Sequence, residues 1–513
     1  MKYFIEKHGG SIAGTLSGFD RMTFRGTLRV LAVAGGMAYF LREMGILVKD
    51  FGAFVEDATR RMKEASLETA RRMKRPIVFL KVSSQSKEEI ARGIMEKDDI
   101  RDGLICILGC LENCRSYEVY RNRDKGILEV RPTWRKCQHL YHYWIDEVMG
   151  FMSARIQTWL PFGIQVCVNG REWLGRRMDR EGMGYRRRNN CFPSLESPRQ
   201  AQHWLAELVR MQWGPILDKV ARRLNPAHKD IFQDFSVPYY WTAYQSEWAT
   251  DLMFERPEDL ASIYPQLVRG AISGFSSKDV LRFLGRGTNI RFAGEVTSEY
   301  RKRPEGICVK HRVNGNSIKM YDKEGSVLRV ETTLNNPRDV KVYRKNGKGQ
   351  KAWMKMRKSV ADIGARAEVS QAANDRYLDA LSALETESSV REIVTPLCRP
   401  VRWKGNRVRA LRPWSREDNE LLQAVCHGEY LLRGFRNRDL ASVLFPEPSN
   451  EPEEKRRLSA RITHKIRVLR AHGLIRKISG TRRYIVTKKG RTISTAIFAY
   501  QDVSPKQLAE IAA

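Results

Sequence analysis

The sequence predicts an α+β protein of several domains, in which a mixed helical and antiparallel-sheet body precedes a basic module at the C-terminus. Three observations carry this. Segments of period-two apolar alternation, such as "GILEVR", "SARIQTWL" and "IQVCVNG", are interleaved with segments whose apolar residues recur every three to four positions. These segments do not follow the regular strand–helix–strand order of a doubly wound sheet. The third is the charge: 91 Lys and Arg against 59 Asp and Glu give a formal +32 over 513 residues, with 42% hydrophobic residues and 11 Trp, so the chain has ample core and room for two to four domains.

In chain order, residues 1–27 read as two short strands or one bent strand around Leu16, Phe19, Met22 and Phe24, carrying Asp20 and Arg21. Residues 28–45 and 52–73 read as helices. "PIVFLKV" (76–82) reads as a buried strand, and Ser84 or Ser86 can cap a helix over 87–96. Strands are expected at 103–109, 115–122, 126–132, 149–159 and 163–169, and "REWLGRRMD" starts a helix after the Asn169-Gly170 turn. Residues 195–285 read as mainly helical, with Trp204, Leu205, Leu208, Trp213 and Ile216 on an apolar stripe. A second sheet is expected over 291–344 and a long helix over 353–387. The implied units are 1–190, a helical region 191–290, the second sheet and long helix 291–390, a proline-punctuated basic linker 391–414, and a C-terminal domain 415–513.

The charge is locally extreme. Residues 341–358 hold 8 basic residues and no acid, 399–412 hold 6 and none, and 455–489 hold 13 and none. Such self-repulsion suits a polyanion partner, with nucleic acid ahead of a membrane surface, and binding that weakens with salt. No apolar run approaches the roughly 20 residues that span a bilayer, and the N-terminus has no signal-peptide core. Nine cysteines fit reduced thiols better than a disulfide scaffold, so the expected location is the cytoplasm.

Within 455–489, Leu458, Ile462, Ile466 and Leu469 mark one face of a helix, and Arg461, Lys465, Arg467 and Arg470 fall largely off it. Gly473 stops the helix. "LIRKI", the basic turn Gly480-Thr481-Arg482-Arg483 and "YIVT" then form a hairpin leading to Lys488 and a last helix. With "FRNRDLASVLF" (435–445) upstream, the segment resembles the winged helix-turn-helix of bacterial regulators of the MarR and ArsR kind. That resemblance implies a basic helix in the DNA major groove and a wing on phosphate. Arg402, Lys404, Arg407 and Arg409 of the basic linker join Arg461, Lys465, Arg467, Arg470, Arg482, Arg483 and Lys488 as candidate nucleic-acid contacts. The bland alternative is a protein-binding module with a solvated basic face.

Ile318–Lys323 ("IKMYDK") with Leu328–Glu331 ("LRVE") is similar to paired strands of rolling-circle replication initiators from plasmids and filamentous phages. The resemblance implies a tyrosine, here Tyr321, that attacks a DNA phosphodiester with help from a divalent metal, and Glu331 as metal ligand or support. The sequence departs from that class in lacking a His-hydrophobe-His pair: His139 and His142 are three apart. Asp20, and Glu247 with Asp251 at i, i+4 on an expected helix, are the further carboxylates able to hold Mg²⁺. Pairing with arginines is the structural alternative for each. Tyr239, Tyr240, Trp241 and Tyr244 can stack bases or pack a core. Cys106, Cys110, Cys114, Cys137, His139 and His142 form a loose Cys/His group, but the core-strand character of 106–108 disfavours zinc. No nucleotide-binding loop, nucleophile elbow or kinase signature is present. The body resembles long bacterial proteins that lend it no role. The expectation is a nucleic-acid-binding protein, DNA before RNA, of a plasmid or mobile-element kind with phosphodiester chemistry in its body. The alternative is a transcriptional regulator or RNA-binding scaffold without catalysis.

Overall fold

The computed structural model describes residues 1–285, 295–303, 306–337, 340–345, 349–384, 390–427, 430, 434–445 and 451–501. Its strands are β1 (Ile12–Leu28), β2 (Ile77–Phe79), β3 (Gly103–Asn122), β4 (Ile127–Asp146), β5 (Gly150–Gln157), β6 (Ile164–Asn169), β7 (Tyr185–Arg188), β8 (Cys191–Leu195), β9 (Tyr239–Phe254), β10 (Val296–Arg303), β11 (Gly306–Val313), β12 (Asn316–Lys323), β13 (Val327–Leu334), β14 (Lys341–Lys345), β15 (Lys351–Lys355), β16 (Val401–Trp403), β17 (Asn406–Val408), β18 (Ile475–Lys477) and β19 (Tyr484–Val486). Eleven of them form one mixed sheet in the order β10-β11-β12-β13-β9-β1-β6-β5-β4-β3-β2, antiparallel throughout except for β2 on β3.

The α+β class holds, and its organisation corrects the sequence reading in several places. The strands expected as a second sheet over 291–344 continue the first one, because β13 pairs directly with β9. β9 itself falls where helix was expected. "YYWTAYQSEWATDLMF" alternates a buried back (Trp248, Thr250, Leu252) with a front that carries Glu247 and Asp251, a period of two rather than 3.6. Glu247 and Asp251 therefore share a strand face, not a helix face. The segments expected separately at 103–109 and 115–122 are one continuous β3, and β4 runs past 132 to Asp146, giving a long hairpin arm.

One face of the sheet is buried under helices. Phe51–Arg72, Pro198–Arg210 and Ile363–Leu384 pack there against Met22, Phe24, Val166 and Val168 in one core and against Leu328 and Val330 in a second. The Pro198–Arg210 helix starts as its residues dictate: Ser197 accepts the Gln200 N–H, Pro198 sits in the first turn, and Trp204, Leu205 and Leu208 face inward. The opposite face is covered in part by the helix Lys87–Lys97, capped by Ser86, whose Ala91 and Ile94 rest on Cys106 and Leu108.

The C-terminal residues build a third core in the order helix Arg416–Val425, helix Asn437–Leu444, helix Pro452–Ala471, hairpin β18–β19 and helix Lys488–Gln501. The stretch read as a linker belongs to this core: Leu397, Val408 and Leu411 are buried in it, and β16–β17 is a short hairpin. Cys114 and Cys137 are disulfide-bonded across β3 and β4, against the expectation of reduced thiols throughout. Among the described residues, no helix is long and apolar enough to cross a membrane.

Candidate functional site

The front of the sheet gathers carboxylates at its centre. On β1 the register against β9 slips between Phe19 and Arg21, so two residues, Asp20 and Arg21, oppose the Glu247 position. Such a bulge re-aims side chains that strict alternation would separate. It brings Asp20 to the face that carries Glu247. Gly170, where β6 turns into the helix Gly170–Glu181, makes this packing feasible, since a Cβ there would run into the Phe19 carbonyl oxygen. On the other side of β9, Glu331 of β13 lies two residues from Thr333, the cross-strand partner of Glu247. One carboxylate oxygen each from Asp20, Glu247 and Glu331 lies within 4.8 Å of the others, the only such metal-capable group among the described residues.

Cations and a tyrosine frame this triad. Lys319 on β12 opposes Glu331 and pairs with it at 2.9 Å, and the Tyr321 hydroxyl donates to Glu331 Oε2 at 3.2 Å. Arg329 opposes Tyr321 and is fully buried. It grips Asp251 with Nε at 2.5 Å and Nη2 at 2.9 Å, reaches Asp20 at 3.4 Å, and donates to the Asn190 carbonyl at 2.7 Å. Arg171 adds a second contact to Asp251 at 2.9 Å, and the Asn190 amide donates to both oxygens of Asp20. Asn190, in the turn between β7 and β8, thus closes one end of the site. Arg21, paired with Glu88, stands at the other, more open end.

The electrostatics follow from this layout. Burial first, and the Glu331 charge second, push the Glu247 carboxyl up to about 7 against the pull of Lys319 and Arg21. Burial would also raise Asp251, but Arg329 and Arg171 outweigh it and hold Asp251 below its usual range. Burial and Glu331 drive the Tyr321 hydroxyl well above its ordinary value. The arrangement therefore concentrates negative charge in the triad, with one proton poorly released, and neutralises Asp251 internally. Chemically, the triad offers a hard oxygen site for a divalent cation beside a hydroxyl that can serve as nucleophile.

Of the five sequence-nominated residues, Asp20, Glu247, Glu331 and Tyr321 share this site, and Asp251 serves as the anchor of Arg329. Sequence reading missed Lys319, Arg329, Arg171 and Asn190. Lys319 and Arg329 sit at i−2 from Tyr321 and Glu331 on the quoted strands, so the period of two could have found them; Asn190 carries no such signal. The Cys/His group does not assemble: His139 and His142 are both buried on β4 but on opposite faces, and burial lowers each to about 4. Of the aromatic run, Trp241 is core, Tyr239 stacks on His228, Tyr240 lies under Arg29, and Tyr244 is exposed. The triad lines no described cavity. A separate cavity of about 340 Å³ lies between the body and the C-terminal core, lined by Lys2, Arg282, Arg376 and Arg491 among others.

The basic C-terminal candidates separate into two groups. Arg461, Arg467 and Arg482 are exposed, as are Arg402, Lys404 and Arg407 on β16–β17, where Arg402 and Arg407 sit directly opposite each other with no acid between them. Others among these candidates are engaged by partners within the fold, and for Lys465 this corrects the reading that placed it toward solvent. Lys465 is buried and pairs with Glu417 at 2.5 Å, and Arg483 is buried and donates to the Gly434 carbonyl at 2.7 Å. Arg409 clamps Asp418 with two contacts, and Arg470 lies over the Trp403 ring at 4.9 Å. Lys488 begins the last helix, and its side chain lies outside the described residues. No family model, curated protein or solved structure matches the chain.

Proposed function

We propose that the protein binds nucleic acid, DNA in preference to RNA, and carries out phosphodiester chemistry at the Asp20–Glu247–Glu331 triad, as replication or mobility proteins of plasmid kind do. The observation that carries this reading is the meeting, on one sheet face, of three carboxylates from three strands with a tyrosine hydroxyl on one of them. In the proposed step the Tyr321 oxygen attacks phosphorus, the phosphorus bond to the leaving nucleoside oxygen breaks, and the strand end stays on Tyr321 as a phosphotyrosine diester. The phenol proton passes to Glu331, and the leaving oxygen takes a proton from water. A divalent ion such as Mg²⁺ held by the triad would supply charge stabilisation at the phosphoryl oxygens. Lys319 orients Glu331, and Arg329 holds Asp20 and Tyr321 in register.

The helix–helix–helix–hairpin–helix order of 416–501 supports a winged helix-turn-helix, with Arg461, Arg467 and Arg482 as its exposed contacts to DNA. A second reading, a binding protein without catalysis, is favoured by one specific observation: Asp20 and Glu331 are 4% and 1% exposed and already paired with Arg329 and Lys319. Incubation with single-stranded DNA, duplex DNA and structured RNA, with and without Mg²⁺, followed by denaturing electrophoresis, separates the two. A Mg²⁺-dependent cut with a strand covalently attached, absent in Tyr321→Phe and Glu331→Ala, is expected. Tight binding that leaves every strand intact under all metals would establish the second reading instead.

A further inference from the structure

The triad's constellation has a counterpart on the same face, four strands away from β9. On β4, Tyr141 lies directly opposite Arg155 of β5, as Tyr321 lies opposite Arg329. The Tyr141 hydroxyl donates to both oxygens of Glu112 at 2.7 and 2.8 Å, and Glu112 pairs with Lys87 at 3.3 Å and with Arg155 at 3.2 Å. A tyrosine, a glutamate, a lysine and an arginine thus recur, with the tyrosine opposite the arginine and bonded to the glutamate in both groups, although here the glutamate lies on β3, the lysine on the helix Lys87–Lys97, and the arginine pairs with the glutamate itself. Two differences set their roles apart. Only one carboxylate is present here against two cations, so the cluster is net positive where the first offers a cation site. The Arg155 side chain is also 34% exposed where Arg329 is fully buried, and Glu112 is the only ion partner described for it.

From Arg155 the register leads back toward the triad. Arg155 pairs with Gln165 on β6, Gln165 with Arg25 on β1, and Arg25 with Thr242 on β9, so these side chains form one row across the front of the sheet. Arg25 is exposed, and its guanidinium has no ion or hydrogen-bond partner among the described residues. A further register slip, between the Thr23–Gln245 and Phe24–Ala243 pairs, leaves Tyr244 of β9 without a cross-strand partner on β1; it is 41% exposed, with Lys358 Nζ 5.6 Å from its ring centroid. Along β1, Arg25 stands four residues, about 13 Å, from Arg21 at the triad, and Arg155 is two strand spacings, about 10 Å, further across. Cations spaced across the face with an exposed ring nearby suit a flexible single strand, whose bases are free to stack on a side chain, better than a duplex, whose bases stack on one another.

We infer that the open sheet face is a single-strand track that feeds the triad, in which Arg25 and Arg155 take backbone phosphates and Tyr244 stacks a base. This rests on the proposed chemistry only for the position of the reacting phosphate; the binding assignment stands separately. Lys87, Glu112 and Tyr141 are positioning residues that fix the Arg155 guanidinium.

The test is fluorescence anisotropy of labelled oligothymidylates of about four to about sixteen nucleotides, in EDTA, on the full chain and on Arg25→Ala/Arg155→Ala. The double variant should bind the long oligomers about tenfold more weakly or worse, and its salt slope should be shallower by about two phosphates. The shortest oligomers should bind unchanged. Arg25→Lys/Arg155→Lys, which keeps the charge, should recover most of the affinity, a rescue that misfolding would not show. Equal losses at every length, no loss at any length, or the same loss with a duplex of equal length would each overturn the track. If the wild-type protein cuts nothing yet the length-dependent loss persists, the chemistry fails and the track stands.

Discussion

Two tyrosine–glutamate–lysine–arginine groups on one sheet face differ mainly in what surrounds the arginine. Around Arg329 the fold supplies Asp251, Asp20 and the Asn190 carbonyl, so each guanidinium nitrogen is engaged internally and the side chain is sealed. Around Arg155 it supplies Glu112 as the one described ion partner, with Tyr141 beside it, and leaves a third of the side chain open. The first arginine is structural and makes a rigid frame for acids that would otherwise repel one another. The second retains capacity for an outside anion. The same four residue types thus yield a framework in one place and a contact surface in the other, and burial decides which.

The sharpest way to break this comparison is to delete each arginine. Arg329→Ala leaves Asp251 and Asp20 buried with a cation missing, and removal of one partner from a buried pair costs about 3–5 kcal/mol. Urea or thermal denaturation should show that loss, while Arg155→Ala, at a side chain a third in solvent, should cost about 1 kcal/mol or less. If Arg329→Ala melts with the wild type, water reaches the site and the contrast between sealed and open ends fails.

Next in size is the titration of Glu247. In the fold its carboxyl is raised to about 7 from 4.5, so the folded protein holds this proton more tightly than the unfolded chain does. The associated stability is complete below about pH 4.5, falls as the unfolded chain ionises first, and is gone above about pH 7, a loss of about 3 kcal/mol in metal-free buffer. Glu247→Gln should flatten that part of the stability profile. Calorimetric Mn²⁺ or Mg²⁺ binding should strengthen with pH through about 7 in the wild type and disappear in the variant. Metal affinity flat across this range would remove the triad from consideration as a cation site.

The two tyrosines offer a third contrast. Tyr321→Phe should abolish the covalent adduct, whereas Tyr141→Phe should leave cutting of short strands intact. Loss of cutting in both would place Tyr141 in the machinery and erase the distinction drawn between the two groups.

How much of this was readable in the chain depends on the range of the interaction. The carboxylates, Tyr321 and the α+β class were legible because each rests on residue type and local period. Glu247 was found for an incorrect reason: an i, i+4 pair shares a face on a helix and, equally, on a strand, so Glu247 was singled out from the wrong element and with a partner, Asp251, that pairs instead with Arg329 and Arg171. The joining of β9 to β13 was not legible, since antiparallel pairing of residues as far apart as Met253 and Val327 or Ser246 and Leu334 leaves no local mark. Nor was the bulge at Asp20, which depends on Gly170 allowing Phe19 to approach. The basic C-terminal stretch was legible as charge but not as orientation, because period 3.6 places Lys465 near the edge of the apolar stripe, where a buried or solvated position is decided by the neighbouring helix.

That edge gives the smallest and finest test. Lys465 and Arg467 lie two residues apart on the helix Pro452–Ala471, and both read as solvent-facing cations. In the fold Lys465 is buried against Glu417, and Arg467 is exposed with no ion or hydrogen-bond partner among the described residues. Arg467→Ala should therefore weaken duplex DNA binding several-fold and reduce the salt slope by about one, with melting unchanged. Lys465→Met keeps the stem packed and removes a charge already neutralised, so it should leave the salt slope where it was. If the two variants change the slope alike, charge on this helix acts through the summed field of the module rather than through contacts, and the basic face works as a steering surface without a fixed register on DNA.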